Sequence, residues 1–228
     1  TALVIQPAPS VGTLHAAGEG FAYKDRGAGT RVLNRRLALR WAVAEDAGQL
    51  ASSAAAGEFT RLCNGVELDR YRVGEPWPTD GPTIFFCGRH EPRKGLAVLL
   101  EAMAGLPGDV RLWVGSDGPE TAALRARWAG DPRVEWLGRL SDAEKVARLR
   151  GADVFCAPSL RGESFGVVLI EAMAAETPIV DSELPGFANV ARAGLDAELV
   201  PPGDPRALSH ALARFLGVAG ILGRSLIH

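Results

Sequence analysis

The sequence predicts an α/β protein: a doubly wound parallel sheet over residues 83–217, preceded by a partial α/β piece. Three observations carry this. Beyond residue 82, short β-branched or aromatic runs alternate with helical stretches of about ten residues, the rhythm of right-handed β-α-β crossovers. The composition, 47% hydrophobic and 23% charged over 228 residues, supplies a core of globular size. Residues 74–82 pack three prolines and two glycines into nine positions, which marks a linker between two parts of unequal regularity.

In chain order, residues 1–73 hold an apolar piece at 11–14, a Gly-rich loop at 18–29 and an amphipathic stretch at 30–49. They predict βα pieces of an incomplete N-terminal domain. After the linker come an apolar run at 83–87, a helix at 95–104, apolar 110–114, a helix at 120–128 and apolar 134–137. A helix at 142–150, apolar 153–157, a helix at 164–174 and short strands at 178–180 and 198–200 complete the pattern. The tail, 218–228, lacks an amphipathic period and takes no role. Ligands of a doubly wound sheet sit at the carboxyl ends of its strands, so the loops after 87 and 157 are where a site is expected.

Charge and cysteine usage exclude several classes. With 25 Lys+Arg against 27 Asp+Glu, there is no excess positive field for a nucleic-acid backbone. No apolar run approaches the ~20 residues that span a bilayer. The first residues have no basic stretch ahead of a long apolar core, so they do not read as a secretory signal. Cys63, Cys87 and Cys156 are odd in number, far apart and set in apolar runs, which argues against a disulfide framework and for a cytoplasmic protein. The four histidines are scattered, and H-E-x-x-H, C-x-x-C and D-x-D are all absent, so no metal is expected.

Two constellations carry chemistry. The first is Cys87-Gly88-Arg89-His90-Glu91-Pro92-Arg93-Lys94-Gly95, a strand-to-helix loop with three cations. Cations beside backbone N–H groups and a helix dipole suit a phosphate, although the spacing is not that of a Walker A loop and a solvated basic loop is the plain alternative. The second is Gly162-Glu163-Ser164-Phe165-Gly166, followed by a helix that carries Glu171. If Ser164 opens that helix, Glu163 stands at its mouth and Glu171 about 12 Å further on at ~1.5 Å per residue. An anionic centre on the helix terminus with hydroxyl groups bonded at each end matches a nucleotide sugar. The helix is apolar nearly all round, so Glu171 is expected to be partly buried and to need a partner. The same residues satisfy the G-x-S-x-G nucleophile elbow of an α/β hydrolase, with Ser164 as nucleophile; Pro158–Arg161 intervene between strand and turn, which disfavours it.

These segments, together with Gly115-Ser116-Asp117-Gly118-Pro119 and Glu171-Ala172-Met173-Ala174, resemble retaining glycosyltransferases of family 4. The resemblance spans 83–216 strongly and 11–70 more weakly. It implies the GT-B fold, two Rossmann-like domains facing a cleft, with residues 83–217 as the nucleotide-sugar domain. It also implies that Arg89 and Lys94 bind the donor diphosphate, with Gly88, Gly162, Phe165 and Gly166 around it, and that Ser164 to Gly166 offer backbone groups to the phosphates. Glu163 takes the hexose hydroxyls and Glu171 the ribose, while Leu140, Asp142 and Lys145 border the base. His15 matches a histidine that reaches the reaction centre, and Asn64-Gly65-Val66-Glu67 matches a segment before the linker.

The implied reaction is transfer of a hexose, mannose from GDP-mannose, to a lipid or sugar acceptor, without metal or other cofactor. A peripheral contact with the inner membrane face through the acceptor is part of the same expectation. Only about 73 residues precede the linker, so the first βα units and most of an acceptor site are expected to be missing. Such a chain binds nucleoside diphosphates but transfers sugar weakly or not at all. A non-catalytic, self-associating module is the alternative from another class. Glu176 stands where the family carries glycine.

Overall fold

The computed structural model describes residues 11–14, 39–42, 60–163, 165–188 and 190–217. The chain divides into two compact units. The first is Thr1–Gly65 with Gly162–Val167 and Pro185–Val190; the second is Val66–Arg161 with Val168–Leu184 and Ala191–His228.

In the first unit, β1 (Val11–Leu14), β2 (Leu39–Ala42) and β3 (Thr60–Arg61) form a parallel sheet with β2 in the middle. β1 coincides with the apolar piece expected there. β2 falls inside the stretch read as amphipathic, where buried Ala42 follows half-buried Trp41.

The second unit carries α1 (Leu68–Arg72) and then a six-stranded parallel sheet. Its strands are β4 (Thr83–Cys87), β5 (Arg111–Gly115), β6 (Val134–Gly138), β7 (Val154–Ala157), β8 (Ile179–Ser182) and β9 (Glu198–Val200). The spatial order is β6-β5-β4-β7-β8-β9. The first three strands run outward in one direction and the last three in the other, so the order reverses between β4 and β7. This is the doubly wound arrangement that the alternating pattern predicts.

Strands covered on both faces must be apolar throughout rather than alternating. Ile84, Phe85 and Phe86 of β4 and all of β7 are accordingly buried. The connecting helices are α2 (Leu96–Ala102), α3 (Thr121–Arg127), α4 (Asp142–Gly151), α5 (Val167–Ala174), α6 (Pro185–Ala188) and α7 (Pro205–Phe215). α4 begins at a capping box, with the Ser141 hydroxyl accepting from Glu144 N–H and the Glu144 carboxylate accepting from Ser141 N–H. α7 begins on Asp204, whose carboxylate accepts from Arg206 N–H and Ala207 N–H ahead of Pro205 in the first turn. Leu96, Leu99 and Leu100 of α2 meet Leu208 and Leu212 of α7 over β4 and β5 in one fully buried cluster.

The end of α5 explains the departure at Glu176. Glu176 N–H donates to Met173 O and Thr177 N–H to Ala172 O, both at 3.0 Å, which is a Schellman closure of the helix. Glu176 stands at its left-handed position with φ +60°. A side chain there costs about 1–2 kcal/mol, partly offset in the free chain by glycine's greater freedom. Glu176→Gly is therefore expected to stabilise the protein by about 0.5–1 kcal/mol in urea unfolding; no gain, or a loss, would contradict this account.

Candidate functional site

The strand order reverses between β4 and β7, and a loop follows each of these strands. Cys87 ends β4; Gly88 to Glu91 follow, then a 3-10 turn at Pro92–Lys94, then Gly95 and α2. Gly95 has φ +69°, and a Cβ on it would fall 1.8 Å from the carbonyl oxygen of Pro158 in the loop after β7. Leu160 N–H donates to Arg93 O at 2.7 Å beside that contact. The loops on either side of the reversal are thus fastened to each other.

The β4 loop is fastened to the β5 loop as well. His90 N–H donates to Asp117 O, and Glu120 N–H donates to His90 O. The His90 ring is buried, with Nε2 3.3 Å from Gly115 O and Nδ1 2.8 Å from the Thr121 hydroxyl. A carbonyl can only accept, so Nε2 carries the proton and the Thr121 hydroxyl donates to Nδ1. Burial pushes the ring's pKa down against the pull of the Gly115 carbonyl. His90 is a neutral, satisfied core histidine that holds two loops together.

A pocket of about 980 Å³ opens over the carboxyl ends of β4, β5 and β6. Cys87 and Arg89 come from the β4 loop, Asp117 from the β5 loop, Arg139 and Leu140 from the β6 loop, and Asp142 and Lys145 from the first turns of α4. Four residues expected at a donor site, Arg89, Leu140, Asp142 and Lys145, therefore line one cavity. Arg89 is 70% exposed, with only a loose contact of 3.9 Å to Glu91, so its guanidinium can turn to a ligand at little cost. Arg139 pairs with Asp117 at 2.9 Å, and the Arg70 guanidinium at 2.8 Å holds the Asp142 carboxyl below its usual range. Ser116 has φ +80°, a left-handed conformation on a non-glycine residue within the pocket wall. Gly88 and Lys94 flank Arg89 in sequence but are not among the pocket's lining residues.

Glu171 sits on α5 with its side chain 12% exposed, and Lys145 Nζ lies 2.6 Å from its Oε1. The sequence requirement for a partner is met by Lys145, 26 residues earlier on another helix. Burial pushes the phenol of Tyr71, on α1, up to about 12, reinforced by the Glu171 charge. Burial likewise pushes the Cys87 thiol to about 11, which leaves it protonated and inert.

The second constellation differs from expectation in one respect. α5 begins at Val167 and not at Ser164, because Gly162 and Gly166 both take φ +74° and interrupt helical continuation. Glu163 consequently stands four residues ahead of the helix and Glu171 about one turn inside it. Gly162, Glu163, Phe165 and Gly166 group with the first unit, whereas Arg89, Lys94, Leu140, Asp142, Lys145 and Glu171 group with the second. Phe165 is buried. Ser164 and His15 lie outside the described residues.

Sequence reasoning did not single out Arg139. Arg139 had a signal, a cation beside Leu140 at the carboxyl end of a strand. Among the described residues, no three His, Cys, Asp or Glu side chains come together as metal ligands, and no helix is long and apolar enough to cross a membrane.

Comparison with known proteins follows the same geometry. Residues 81–217 match the family model "Glycosyl transferases group 1". The chain is 40% identical over 194 residues to phosphatidyl-myo-inositol mannosyltransferase of Mycobacterium leprae, covering 82% of this chain and 52% of that protein. It is 37% identical over 164 residues to D-inositol 3-phosphate glycosyltransferase of Xylanimonas cellulosilytica, covering 66% and 37%. The chain spans about half the length of the mannosyltransferases it matches. Among solved structures, Anabaena HepE in complex with UDP superimposes with a TM-score of 0.77 at 21% identity, over 92% of this chain and 63% of that one. Sucrose-phosphate synthase of Thermosynechococcus elongatus gives 0.69 at 24% identity, over 92% and 59%. These neighbours are GT-B proteins, the fold expected above, and the hydrolase and non-catalytic readings are not favoured. A family match over more than half of the chain, on a doubly wound sheet whose loops meet at the reversal of strand order, places this protein in the glycosyl transferases group 1 family.

Proposed function

We propose that this chain carries the donor half of a retaining mannosyltransferase of family 4, which uses GDP-mannose and a lipid or sugar acceptor. The observation that carries the reading is the pocket over β4, β5 and β6, which Arg89 from the β4 loop and Lys145 from α4 both line. The names of its mannosyltransferase relatives favour mannose. HepE is seen with UDP, which shows that a related fold accepts a nucleoside diphosphate and leaves the base to experiment.

In this reading Arg89 and Lys94 neutralise the diphosphate as negative charge grows on it, and the α5 terminus with Gly166 offers backbone N–H groups to the same oxygens. Glu163 accepts from the hexose hydroxyls and Glu171 from the ribose, with Leu140, Asp142 and Lys145 beside the base. The bond from the anomeric carbon to the diphosphate oxygen breaks and the acceptor oxygen takes its place on the same face. The acceptor's proton passes to the departing phosphate. His15 belongs to the acceptor side of this centre. Charge stabilisation by two cations and a helix terminus serves the departing diphosphate without a metal. The protein works in the cytoplasm and touches the inner membrane face through its acceptor.

Calorimetry with GDP and UDP tests the donor reading. Wild type binds one of them, and Arg89→Ala weakens that binding about tenfold or more, the loss of a charge-assisted contact. Absence of binding by either nucleotide overturns the reading. A transfer assay with GDP-mannose and phosphatidylinositol separately measures whether this length of chain turns over.

A further inference from the structure

We propose that Lys145 is a positioning residue: its ammonium holds the Glu171 carboxylate, and through it the sugar hydroxyls of the bound nucleotide, so that Lys145 serves the ribose although it stands beside the base. The inference rests on the donor-site reading, in which Glu171 receives the ribose.

Burial and distance separate the cations that line the pocket. Arg89 and Arg139 are exposed, and their ion pairs with Glu91 and Asp117 are surface contacts of small value that a ligand can replace. Lys145 is of another kind. Its side chain is 23% exposed, and Nζ lies 2.6 Å from Oε1 of Glu171, whose side chain is 12% exposed. A short, charge-assisted bond between two mostly buried groups holds, since parting them leaves two charges short of partners. The backbones on either side are pinned as well. Lys145 N–H donates to Ser141 O inside the capped first turn of α4. One turn further along, Leu149 O accepts from the buried Thr177 hydroxyl at 2.6 Å, just beyond the end of α5. α4 and α5 are therefore tied at two levels, and the ion pair is the level that reaches the pocket, through Lys145.

The physical gain is preorganisation. Glutamate is among the side chains that lose most freedom when fixed, so one already fixed by folding gives more of its hydrogen-bond energy to a ligand. An ionised carboxylate accepts at about four lone-pair positions; the ammonium takes one, which leaves room for both ribose hydroxyls. A base atom approaching Nζ would instead compete with a bond already made. Recognition of the base therefore falls to the other residues around it, and loss of the ammonium should be felt at the ribose.

Two ratios test this, each taken within one variant so that a lower folded fraction cancels. Wild type, Lys145→Met and Glu171→Ala, each as the 228-residue chain, are titrated with GDP and UDP and with their 2′,3′-dideoxy counterparts, the weaker ligands by competition. Wild type should prefer the ribose form of the nucleotide it binds about tenfold, and Glu171→Ala should abolish the preference, at the usual strength of a hydrogen bond to a charged group. Lys145→Met should cut that preference to about twofold and keep the wild-type ratio of GDP to UDP affinity. A Lys145→Met protein with the wild-type ribose preference, whether or not both affinities fall together, overturns the positioning role and leaves the donor site standing. A changed GDP-to-UDP ratio in Lys145→Met overturns it too, because the ammonium then acts on the base. A wild type that binds a nucleotide with no ribose preference, or a Glu171→Ala protein that keeps the preference, overturns the Glu171 assignment and the positioning role with it. A wild type that binds neither nucleotide overturns the donor reading itself.

Discussion

Gly95→Ala is expected to destabilise the second unit by more than about 3 kcal/mol and to weaken nucleotide binding with it. Two independent costs add. An alanine at φ +69° carries the left-handed penalty of about 1–2 kcal/mol. Its Cβ would also lie 1.8 Å from Pro158 O and 2.8 Å from Pro158 C, which is a collision with backbone and cannot be relieved by turning a side chain. The β4 and β7 loops must separate, and the bond from Leu160 N–H to Arg93 O, about 1 kcal/mol, goes with the movement. Gly108 is the control. A Cβ there meets nothing within 4 Å, so Gly108→Ala should change stability by less than about 0.5 kcal/mol. Urea unfolding of both variants decides the matter, and a cost below about 1 kcal/mol for Gly95→Ala would contradict the close approach. The affinity loss follows from the same geometry, since Arg89 reaches the pocket from one of the displaced loops.

Much of this architecture could be read from residues alone, for a definite reason. A parallel strand buried on both faces has to be an unbroken apolar run, so β4 at Thr83–Cys87 and β7 at Val154–Ala157 are found where the runs are. Where backbone conformation rather than hydrophobicity sets a boundary, the pattern misleads. The start of α5 shifts from 164 to 167 because Gly166 turns the chain, and the apolar period could not register that. α7 was signalled by Asp204-Pro205, an N-cap and a first-turn proline, but sequence reasoning assigned it no element. Glu171 separates the two kinds of knowledge. That it needed a partner was legible, since a carboxylate on an all-apolar helix cannot stay alone. Which partner it found was not, because Lys145 approaches along a separate helix through the packing of the whole unit.

The nine residues at 74–82 show a further limit, and they lead to the second large effect. Proline and glycine forecast an absence of regular structure, and none forms there; they do not forecast an absence of contacts. Trp77 N–H donates to Ala147 O at 2.8 Å, and the Arg148 guanidinium lies between two indoles, 4.1 Å from the Trp77 ring centre and 4.3 Å from that of Trp113. The Arg148 side chain is only 7% exposed, and Glu135, its ion-pair partner at 3.4 Å, is 57% exposed. The indoles and not the carboxylate therefore dominate. Arg148→Ala is expected to cost about 3 kcal/mol, from two desolvated cation–π contacts and the packing of the aliphatic stem, less about 1 kcal/mol regained because the buried Nε has no hydrogen-bond partner. Arg148→Met separates the contributions, since it restores the stem without the charge and should recover about half of the loss. Arg148→Lys should recover no more than that, because an ammonium is a point charge and cannot cover two ring faces at once. If alanine costs less than about 1 kcal/mol by urea unfolding, the stack is an incidental contact. If methionine is as costly as alanine, the cation itself, and not the volume it fills, binds Trp77 to α4.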